Sequence, residues 1–245
     1  MSDPVEVRRG ERVFVLTGAG ISAESGISTF RDRDGLWEKF RVEDVASPEG
    51  WQTDREMVWR FYSQRREQAE TCEPNAAHRA LAVLESTLRD DLFVCTQNVD
   101  PLHERAGSKR VVHMHGELFK SRCEDTSCKT SPYDDHATYF SRDAIPRCAC
   151  GGRIRPHICW FGEMPFEMDR ISRELLRCHL FLTVGTSGSV YPAAGFVRQV
   201  RAAKRTGARV RSVYVGPERP DNASEFDECR LGKAGEILPN LVRVV

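Results

Sequence analysis

The stretch RVFVLTGAGIS, residues 12–22, joins a run of apolar and β-branched residues to a glycine-rich turn. Residues 12–17 predict a buried parallel strand, and a helix is expected at 21–27, directly after the turn. The two glycines would let the backbone approach a phosphate group, and the first turn of the helix would offer unpaired N–H groups. Because Ala23 replaces the third glycine of the GxGxxG pattern, this turn alone does not establish a nucleotide site.

Strands and helices alternate through most of the remaining chain. Further buried strands are predicted at 92–96, 110–114, 180–184 and 210–215. Helices are predicted at 55–70, where Asp54 can cap the first turn, at 76–88 and at 193–206. This alternation predicts an α/β fold with a mostly parallel, doubly wound sheet.

A second glycine turn and a set of polar side chains follow the predicted strands. Gly185, Thr186 and Ser187 come directly after the strand at 180–184. Ligands of an open parallel sheet bind at the carboxyl ends of its strands, so the two glycine turns together favour a nucleotide site. The stretch QNVD, residues 97–100, places an amide and a carboxylate at the same edge. These groups could bind hydroxyls or an amide, or they could simply form a polar turn.

Two histidines, His113 and His115, flank Met114 near the end of a predicted strand. Alternation along the strand would place both side chains on one face. A histidine beside a ligand crevice is a candidate general base because its pKa lies close to neutral. From the residues alone the choice between the two stays open, and either could be an ordinary structural histidine.

Residues 117–155 differ in composition from the rest of the chain and predict a small metal-stabilised module inserted into the sheet. Four of the nine cysteines lie in this segment, at Cys123, Cys128, Cys148 and Cys150. Two pairs of thiolates on two short loops can complete a tetrahedral zinc shell, and such a shell leaves no open position for catalysis. We therefore predict one structural zinc ion.

Composition and charge argue against several classes of protein. The chain has 245 residues, of which 40% are hydrophobic, and its 36 Lys and Arg balance its 36 Asp and Glu. This neutrality argues against direct nucleic-acid binding, which usually leaves a basic footprint. The sequence has neither an apolar run of the roughly 18 residues that a membrane helix needs nor the apolar core of a signal peptide. We expect a cytoplasmic monomer in a reducing compartment, with no membrane partner.

Several stretches, taken in order, resemble the motifs of sirtuins, which are NAD-dependent protein deacylases. They are GAGISAESGISTFRDRDGLW (18–37), QNVD (97–100), HG (115–116), the four cysteines, WFGE (160–163), GTS (185–187) and GKAGEILP (232–239). The resemblance implies a single catalytic domain, with a large Rossmann-like lobe at about 1–36, 76–117 and 156–245. A small lobe would combine a helical insertion at about 37–75 with a zinc ribbon at about 118–155.

The same resemblance implies roles for individual residues. His115, not His113, would be the general base, and Asn98 would be the second catalytic residue. Asn98 and Asp100 would hold the nicotinamide ribose and the nicotinamide amide. Further contacts with NAD would come from Gly18, Ala19, Gly20, Ile21, Ser22, Ala23, Thr29, Phe30, Arg31, Trp37, Gln97, Val99, Gly185, Thr186, Ser187, Gly216, Pro217, Glu218 and Ala234. The substrate backbone would pair as an added strand with Trp160, Phe161, Gly162 and Glu163.

The resemblance also implies a reaction and a class of partner. The acyl oxygen of an acyl-lysine protein would attack the ribose carbon of NAD as nicotinamide leaves. His115 would then deprotonate a ribose hydroxyl, which would attack the resulting imidate, and water would release free lysine and an O-acyl-ADP-ribose ester. Two alternatives stay open. One is an NAD glycohydrolase or ADP-ribosyltransferase on the same scaffold, and the other is a zinc-ribbon binding module without catalysis.

Tyr62 and Arg65 lie three positions apart in the helix predicted at 55–70, so they share a face. A phenol and a guanidinium on one face can clamp a carboxylate, although amphipathic helices also carry such pairs by chance. The chain resembles the succinyl- and malonyl-preferring sirtuins in this pair and in the stretch AESG, residues 23–26. We therefore predict removal of succinyl, malonyl or glutaryl groups, beside weaker deacetylation.

Overall fold

The structure, a computed structural model, describes residues 3–27 and 40–245. Thr29, Phe30, Arg31 and Trp37, which the resemblance assigns to the cofactor, lie outside the described residues. The strands are β1 (Val5–Val7), β2 (Val13–Thr17), β3 (Leu92–Thr96), β4 (Val111–His113), β5 (Gly116–Cys123), β6 (Tyr133–Asp134), β7 (Ile154–Ile158), β8 (Leu180–Val184), β9 (Arg211–Gly216), β10 (Glu228–Leu231) and β11 (Val242–Val244). The helices are α1 (Gly20–Ala23), α2 (Val42–Val45), α3 (Pro48–Thr53), α4 (Arg55–Glu70), α5 (Ala76–Leu88), α6 (Leu102–Arg105), α7 (Met168–Leu176), α8 (Phe196–Arg205) and α9 (Ala234–Ile237).

The largest sheet in the described chain is parallel and has six strands, in the order β10-β9-β8-β2-β3-β4. Strand β2 pairs with β3 on one side and with β8 on the other. The chain runs outward from β2 through β3 to β4, and later returns to β8 and continues outward in the opposite direction. The strand order therefore reverses between β2 and β8, and an open α/β sheet binds its ligands at such a point.

Both faces of this sheet are covered, which explains its uninterrupted apolar strands. Every residue of β2 and β8 is buried. Val13 and Val15 belong to a core that includes α5 and α9, whereas Phe14 and Leu16 belong to a core that includes α7 and α8. Parallel strands buried on both faces show this continuous pattern instead of an alternating one. The prediction of an α/β fold with a doubly wound parallel sheet is confirmed.

A smaller antiparallel sheet, in the order β6-β5-β7, packs with α2, α3 and α4. Its core is rich in tryptophan, with Trp51, Trp59 and Trp160 buried together. Gly116, the first residue of β5, pairs with Ile158, the last residue of β7. The small sheet therefore begins one residue after His115. The lobe boundaries given above remain a prediction.

The helix boundaries follow the predictions in part. Helices α4 and α5 begin and end where the sequence predicts, and Asp54 Oδ1 caps α4 by accepting the Met57 N–H at 2.9 Å. The helix predicted at 21–27 is shorter and ends at Ala23, because Gly26 adopts a φ of +87°, a left-handed conformation that is unsuited to a continuing helix. Residues 193–195 form a 3₁₀ turn before α8. Within 3–27 and 40–245, no helix combines the length and apolarity needed to cross a bilayer.

Candidate active site

Two glycine turns meet backbone to backbone where the strand order reverses. The Gly20 N–H donates to the Gly185 carbonyl oxygen at 2.8 Å, and the Gly18 N–H donates to the Val184 carbonyl oxygen at 2.9 Å. A Cβ atom added to Gly18 would lie 2.9 Å from the Gly185 carbonyl oxygen, and one added to Gly20 would lie 2.8 Å from it. Gly185 has a φ of +64°, which favours glycine. Because these three glycines have no side chains, the sheet edge at the carboxyl ends of β2 and β8 is lined by backbone.

Ser22 is the centre of a buried hydrogen-bond network. Its hydroxyl accepts from Asn98 Nδ2 at 3.0 Å and donates to Asp100 Oδ2 at 3.0 Å. Nε2 of His78 lies 3.5 Å from the same oxygen, and Nδ1 of His78 accepts the Asn75 N–H. Since Nδ1 accepts, Nε2 carries the proton and donates to Ser22. The Ser22 hydroxyl then uses its one donor and both acceptor positions.

This network fixes the orientation of two buried side chains, Asn98 and Asp100. The amide nitrogen of Asn98 is committed to Ser22, so its Oδ1 atom is the end that can face a ligand. Asp100 Oδ1 accepts the Leu102 N–H at 3.1 Å. Burial raises the pKa of Asp100, against the lowering effect of its hydrogen bonds from Leu102 and Ser22.

His115 is held in one tautomer by the backbone. Its Nδ1 lies 3.1 Å from the Gln97 carbonyl oxygen, which can only accept, so Nδ1 carries the proton. Nε2 is then the basic nitrogen of the neutral ring. Burial lowers the pKa of His115, and the bond to Gln97 opposes this effect only in part. The ring is therefore neutral at neutral pH, which is the state that a general base requires.

His113 is engaged differently, although it lies only two residues away. Its Nδ1 lies 2.9 Å from the Asn98 carbonyl oxygen and its Nε2 lies 2.9 Å from Glu104 Oε1. A ring with both nitrogens occupied has no lone pair for a substrate proton. The bonds of His113 therefore argue against it as the base, and the role of His115 stays a prediction.

Six further residues predicted to bind the cofactor lie at or after the carboxyl ends of β8, β9 and β10: Thr186, Ser187, Gly216, Pro217, Glu218 and Ala234. Ser187 Oγ accepts the Ser189 N–H at 3.3 Å, which orders this turn. Glu218 is exposed, whereas the side chain of Ala234 is buried in the core beneath α9. Ala234 as a whole is 3% exposed, and its contact with the cofactor stays a prediction.

Tyr62 and Arg65 lie on α4, as predicted. Tyr62 Oη accepts the Trp160 Nε1–H at 3.0 Å, so the hydroxyl hydrogen of Tyr62 can itself donate. Burial raises the pKa of Tyr62 to about 12, which keeps this hydrogen in place at neutral pH. Burial also lowers the pKa of the half-buried Arg65, and the neighbouring Tyr62 and Asp100 oppose that effect. The guanidinium therefore lies within electrostatic reach of the Asp100 carboxylate.

Residues 160–163 form a turn whose side chains are partly used inside the protein. The Phe161 N–H donates to the Ala46 carbonyl oxygen at 3.0 Å, and the Glu163 N–H donates to the Trp160 carbonyl oxygen at 3.0 Å. Trp160 is 2% exposed, whereas Phe161 is 50% exposed. The groups that this turn presents outward are the Phe161 ring and the backbone of Gly162, which has a φ of +88°.

The four cysteine sulfurs converge as a zinc site requires. All four Sγ atoms lie within 4.8 Å of one another, with 3.5 Å between Cys123 and Cys150 and 3.5 Å between Cys128 and Cys148. A tetrahedron with Zn–S distances of about 2.3 Å has edges of about 3.8 Å. A Cβ atom on Gly152 would lie 2.5 Å from Cys123 Sγ, so glycine leaves room for the thiolate. The cluster fits the predicted structural zinc ion.

Strand β5 separates this cluster from the base. Gly116 follows His115 at one end of β5, and Cys123 is the residue at the other end. At about 3.3 Å per residue, the strand spans roughly 23 Å. A metal at the cysteines therefore acts on the fold and not on the reacting groups.

The model of the Sir2 family matches residues 18–192. The chain belongs to the Sir2 family. Two curated relatives of this Sir2 protein are named NAD-dependent protein deacylase. The one from Shewanella oneidensis is 50% identical over 243 residues, covering 96% of this chain and 94% of that protein. The one from Pasteurella multocida is 51% identical over 231 residues, covering 94% and 95%.

Solved Sir2 structures share the fold of this Sir2 protein. A Sir2 homologue in complex with NAD has a TM-score of 0.81 and 40% sequence identity, and the match covers 93% of this chain and 86% of that one. A mutant Sir2 homologue in complex with ADP ribose has a TM-score of 0.83 and 39% identity, over 93% and 89%. These likenesses confirm the sirtuin resemblance and its Rossmann-like sheet.

Two residues that support the site of this Sir2 protein were not predicted from the sequence. Arg155 donates to the two carboxylate oxygens of Glu163 at 2.7 and 3.0 Å, and its guanidinium stacks on the Trp160 ring at 3.3 Å. His78 donates to Ser22 from the first turn of α5. The capping box formed by Asn75 and His78 is a local pattern that could have drawn attention to His78.

Proposed function

We propose that this Sir2 protein is an NAD-dependent protein-lysine deacylase that prefers acyl groups ending in a carboxylate, such as succinyl, malonyl and glutaryl. Family membership and the two relatives named NAD-dependent protein deacylase support the first part. One observation carries the preference. The buried Tyr62 hydroxyl is oriented by Trp160 so that its hydrogen can donate, on the helix face that also carries Arg65.

The cofactor would lie along the edge where the two glycine turns meet. When bound, NAD supplies a ribose carbon activated by its nicotinamide leaving group. Asn98 Oδ1, turned outward by Ser22, would accept from a ribose hydroxyl, and Asp100 would face the nicotinamide amide. His115 Nε2 would take the proton of a ribose hydroxyl, because its Nδ1–H is fixed on the Gln97 carbonyl.

The protein substrate would contact the turn at 160–163. The outward backbone of Gly162 can pair with an extended peptide, a mode of binding that reads little sequence. The ring of Trp160 links this turn to the acyl site, since its N–H binds Tyr62. The acyl-lysine side chain would therefore enter beside the turn and reach the α4 face.

The preference follows from charge and hydrogen bonding at that face. Arg65 can donate two parallel hydrogen bonds to a carboxylate, and Tyr62 can add a third. An acetyl group offers no charge for the guanidinium, so it would gain nothing from either side chain. Tyr62 is 3% exposed, and beside such a buried group the attraction between a guanidinium and a carboxylate is stronger than at an exposed surface.

One assay tests both parts. The purified protein is incubated with one lysine peptide in acetyl, butyryl and succinyl forms, each with and without NAD, and product masses are followed. Butyryl matches succinyl in chain length but lacks the carboxylate. We expect NAD-dependent loss of succinyl, with a succinyl-ADP-ribose mass, to exceed the loss of the other two groups.

Other outcomes point elsewhere. Equal rates for butyryl and succinyl would remove the role of the carboxylate and leave a general deacylase. NAD consumption without loss of any acyl group would indicate an NAD glycohydrolase.

A further inference from the structure

His113 is a buried histidine that the deacylation chemistry does not use. It is the last residue of β4, and its side chain is 6% exposed. The ring bridges two elements, with Nδ1 at 2.9 Å from the Asn98 carbonyl oxygen and Nε2 at 2.9 Å from Glu104 Oε1 on α6. It therefore links the loop that carries Asn98 to a carboxylate at the protein surface.

Both partners of this ring are acceptors. A peptide carbonyl has no hydrogen to donate, and an ionised carboxylate only accepts. A neutral imidazole carries one N–H and can satisfy one of the two partners, whereas an imidazolium satisfies both. Glu104 is 43% exposed, so water can solvate its negative charge. The geometry is therefore that of a protonated His113.

The charges around His113 support this state. Carboxylates face it from three elements: Glu104 on α6, Glu117 on β5 and Asp100 after β3. The nearby histidines, His103 on α6 and His157 on β7, are neutral because burial lowers the pKa of each. Burial likewise lowers the pKa of His113, but the hydrogen bond and charge of Glu104 outweigh it and the pKa is raised.

Two cationic side chains near His113, Lys120 and Arg105, do not offset the carboxylates around its ring. Lys120 is paired with Glu117 at 3.0 Å. Arg105 donates to the carbonyl oxygens of Ala69 at 2.7 Å and Cys72 at 3.1 Å. Both charges are therefore held by groups other than His113.

We propose that His113, as an imidazolium held by Glu104, is a positioning residue that fixes the loop at 97–100 for cofactor binding. Asn98 has three anchors: its N–H on Thr96 Oγ1, its side chain on Ser22 and its carbonyl on His113. Without the third anchor, the peptide unit after Asn98 is freer to rotate. The inference rests on the proposed function, because this loop is the one assigned to NAD.

Loss of the second proton has a direct consequence. Above the raised pKa of His113, the one remaining N–H stays with the Glu104 carboxylate, because the charge-assisted hydrogen bond is the stronger of the two, and a lone pair then faces the Asn98 carbonyl oxygen, so the third anchor is lost. We therefore expect kcat/KM for NAD to fall on the alkaline side of the pH profile, while KM for the peptide stays constant. A residue with only a structural role would not separate the two substrates in this way.

Glu104→Gln tests the charge. A glutamine amide can donate to an unprotonated Nε2 while Nδ1–H still donates to Asn98, so both bonds survive without the imidazolium. This variant is expected to lose the alkaline fall in kcat/KM for NAD. Glu70→Gln is the matched control, because Glu70 pairs with the exposed His136 at 3.6 Å, and it should keep the wild-type profile. An unaltered alkaline fall in Glu104→Gln would overturn the proposal.

His113→Phe tests the anchor. It keeps an aromatic ring but makes neither bond, so KM for NAD should rise about tenfold to a hundredfold at every pH, with little change in KM for the peptide. An unchanged KM for NAD in a folded variant would overturn the positioning role. If His113→Phe does not fold, Glu104→Gln still tests the proposal, because the Glu104 side chain is half-exposed and tolerates substitution more readily.

Nitrogen NMR of the histidine rings in the whole protein provides a measurement that does not need turnover. In the wild type, His113 is expected to keep two protonated nitrogens to a higher pH than in Glu104→Gln, because its pKa is raised above 6.5. A wild-type ring that loses its second proton below pH 6.5 would refute the inference. If no peptide is deacylated at all, the proposed function fails. The inference is then decided by NAD affinity, measured by calorimetry across the same pH range, which should fall on the alkaline side only in the wild type.

Discussion

The two walls of the candidate site are built in different ways. The sheet-edge cluster, consisting of Ser22, Asn98, Asp100 and His115, is held by bonds among its members and by bonds to the backbone. The helix-face pair, Tyr62 and Arg65, is supported by α4, and the Tyr62 hydroxyl is oriented by a hydrogen bond from outside the pair. We infer that the first wall serves a cofactor common to all substrates and that the second selects among acyl groups.

This difference predicts separable effects of mutation. A change in the sheet-edge cluster should lower every acyl activity by a similar factor, because it acts on a step that all substrates share. A change in the helix-face pair should act on carboxylate-bearing acyl groups and spare acetyl. Double-mutant analysis between the walls should then show near-additivity, except through Asp100, whose charge acts on Arg65.

The largest effect is expected for His115→Ala. Removal of a general base should lower kcat by about 100-fold to 10,000-fold, and by the same factor for acetyl and succinyl peptides. Steady-state rates with both peptides measure this, and NAD binding by calorimetry reports whether the site stays formed. His136→Ala, at an exposed histidine, is the control. A loss confined to one acyl group would contradict the division between the walls.

Arg65→Met should separate the acyl groups. The loss of a charged hydrogen-bond donor should lower kcat/KM for succinyl by about tenfold to a hundredfold and leave acetyl within about threefold. Arg60→Met is the matched control on the same helix, because Arg60 is exposed and pairs with Glu56 at 2.8 Å. Equal losses for both peptides would show that Arg65 supports the fold and not the acyl group.

Tyr62→Phe should give a smaller shift of the same kind, about fivefold to tenfold for succinyl, since one hydrogen bond to a carboxylate is lost. The variant also leaves the buried Trp160 N–H without its acceptor, so the free energy of unfolding should fall by about 1–3 kcal/mol. Urea denaturation separates the two effects. Tyr191→Phe, at a side chain that is 64% exposed, should change neither quantity.

The smallest expected effect is a loss of folding stability at acidic pH. Burial lowers the pKa of His78 to about 4, below the ordinary histidine value of 6.5. Between these values the unfolded chain binds more protons than the folded one, so stability falls as pH falls from 6.5 toward 4. His78 alone should contribute roughly 1 kcal/mol of loss by pH 6. Urea denaturation at pH 7.5 and 6 should show a shallower pH dependence in His78→Gln, and an identical slope would argue against a neutral His78 beside Ser22.

Much of the fold could be predicted because its central strands are buried on both faces. Strands β3 and β8 have the predicted ends, since each apolar run stops at the polar or glycine residues of the site, QNVD after β3 and Gly185 after β8. Strands β1 and β11 are three residues each and pair only with one another across the described chain, so no local pattern indicates them. Helix α7 starts without a side-chain cap after Glu167, which has a φ of +58°, and so its beginning carries no sequence signal.

The members of the site could be predicted from motifs, but their bonds could not. Ser22 and Asn98 are 76 positions apart, and Tyr62 and Trp160 are 98 positions apart. Such contacts depend on how strands and helices pack, which spacing does not encode. The tautomer of each histidine also depends on the carbonyl that faces it, so the sequence left His113 and His115 equivalent whereas the structure distinguishes them.

Gly116, the residue after the candidate base, has a φ of +89°. A Cβ atom there would lie 2.0 Å from the His157 carbonyl oxygen, so even alanine would push β5 and β7 apart. In a random screen for inactive variants, substitutions should therefore be recovered at both His115 and Gly116, but for different reasons. Changes at His115 would yield folded protein without activity, whereas changes at Gly116 would yield little folded protein, and recovery of soluble material would tell the two classes apart.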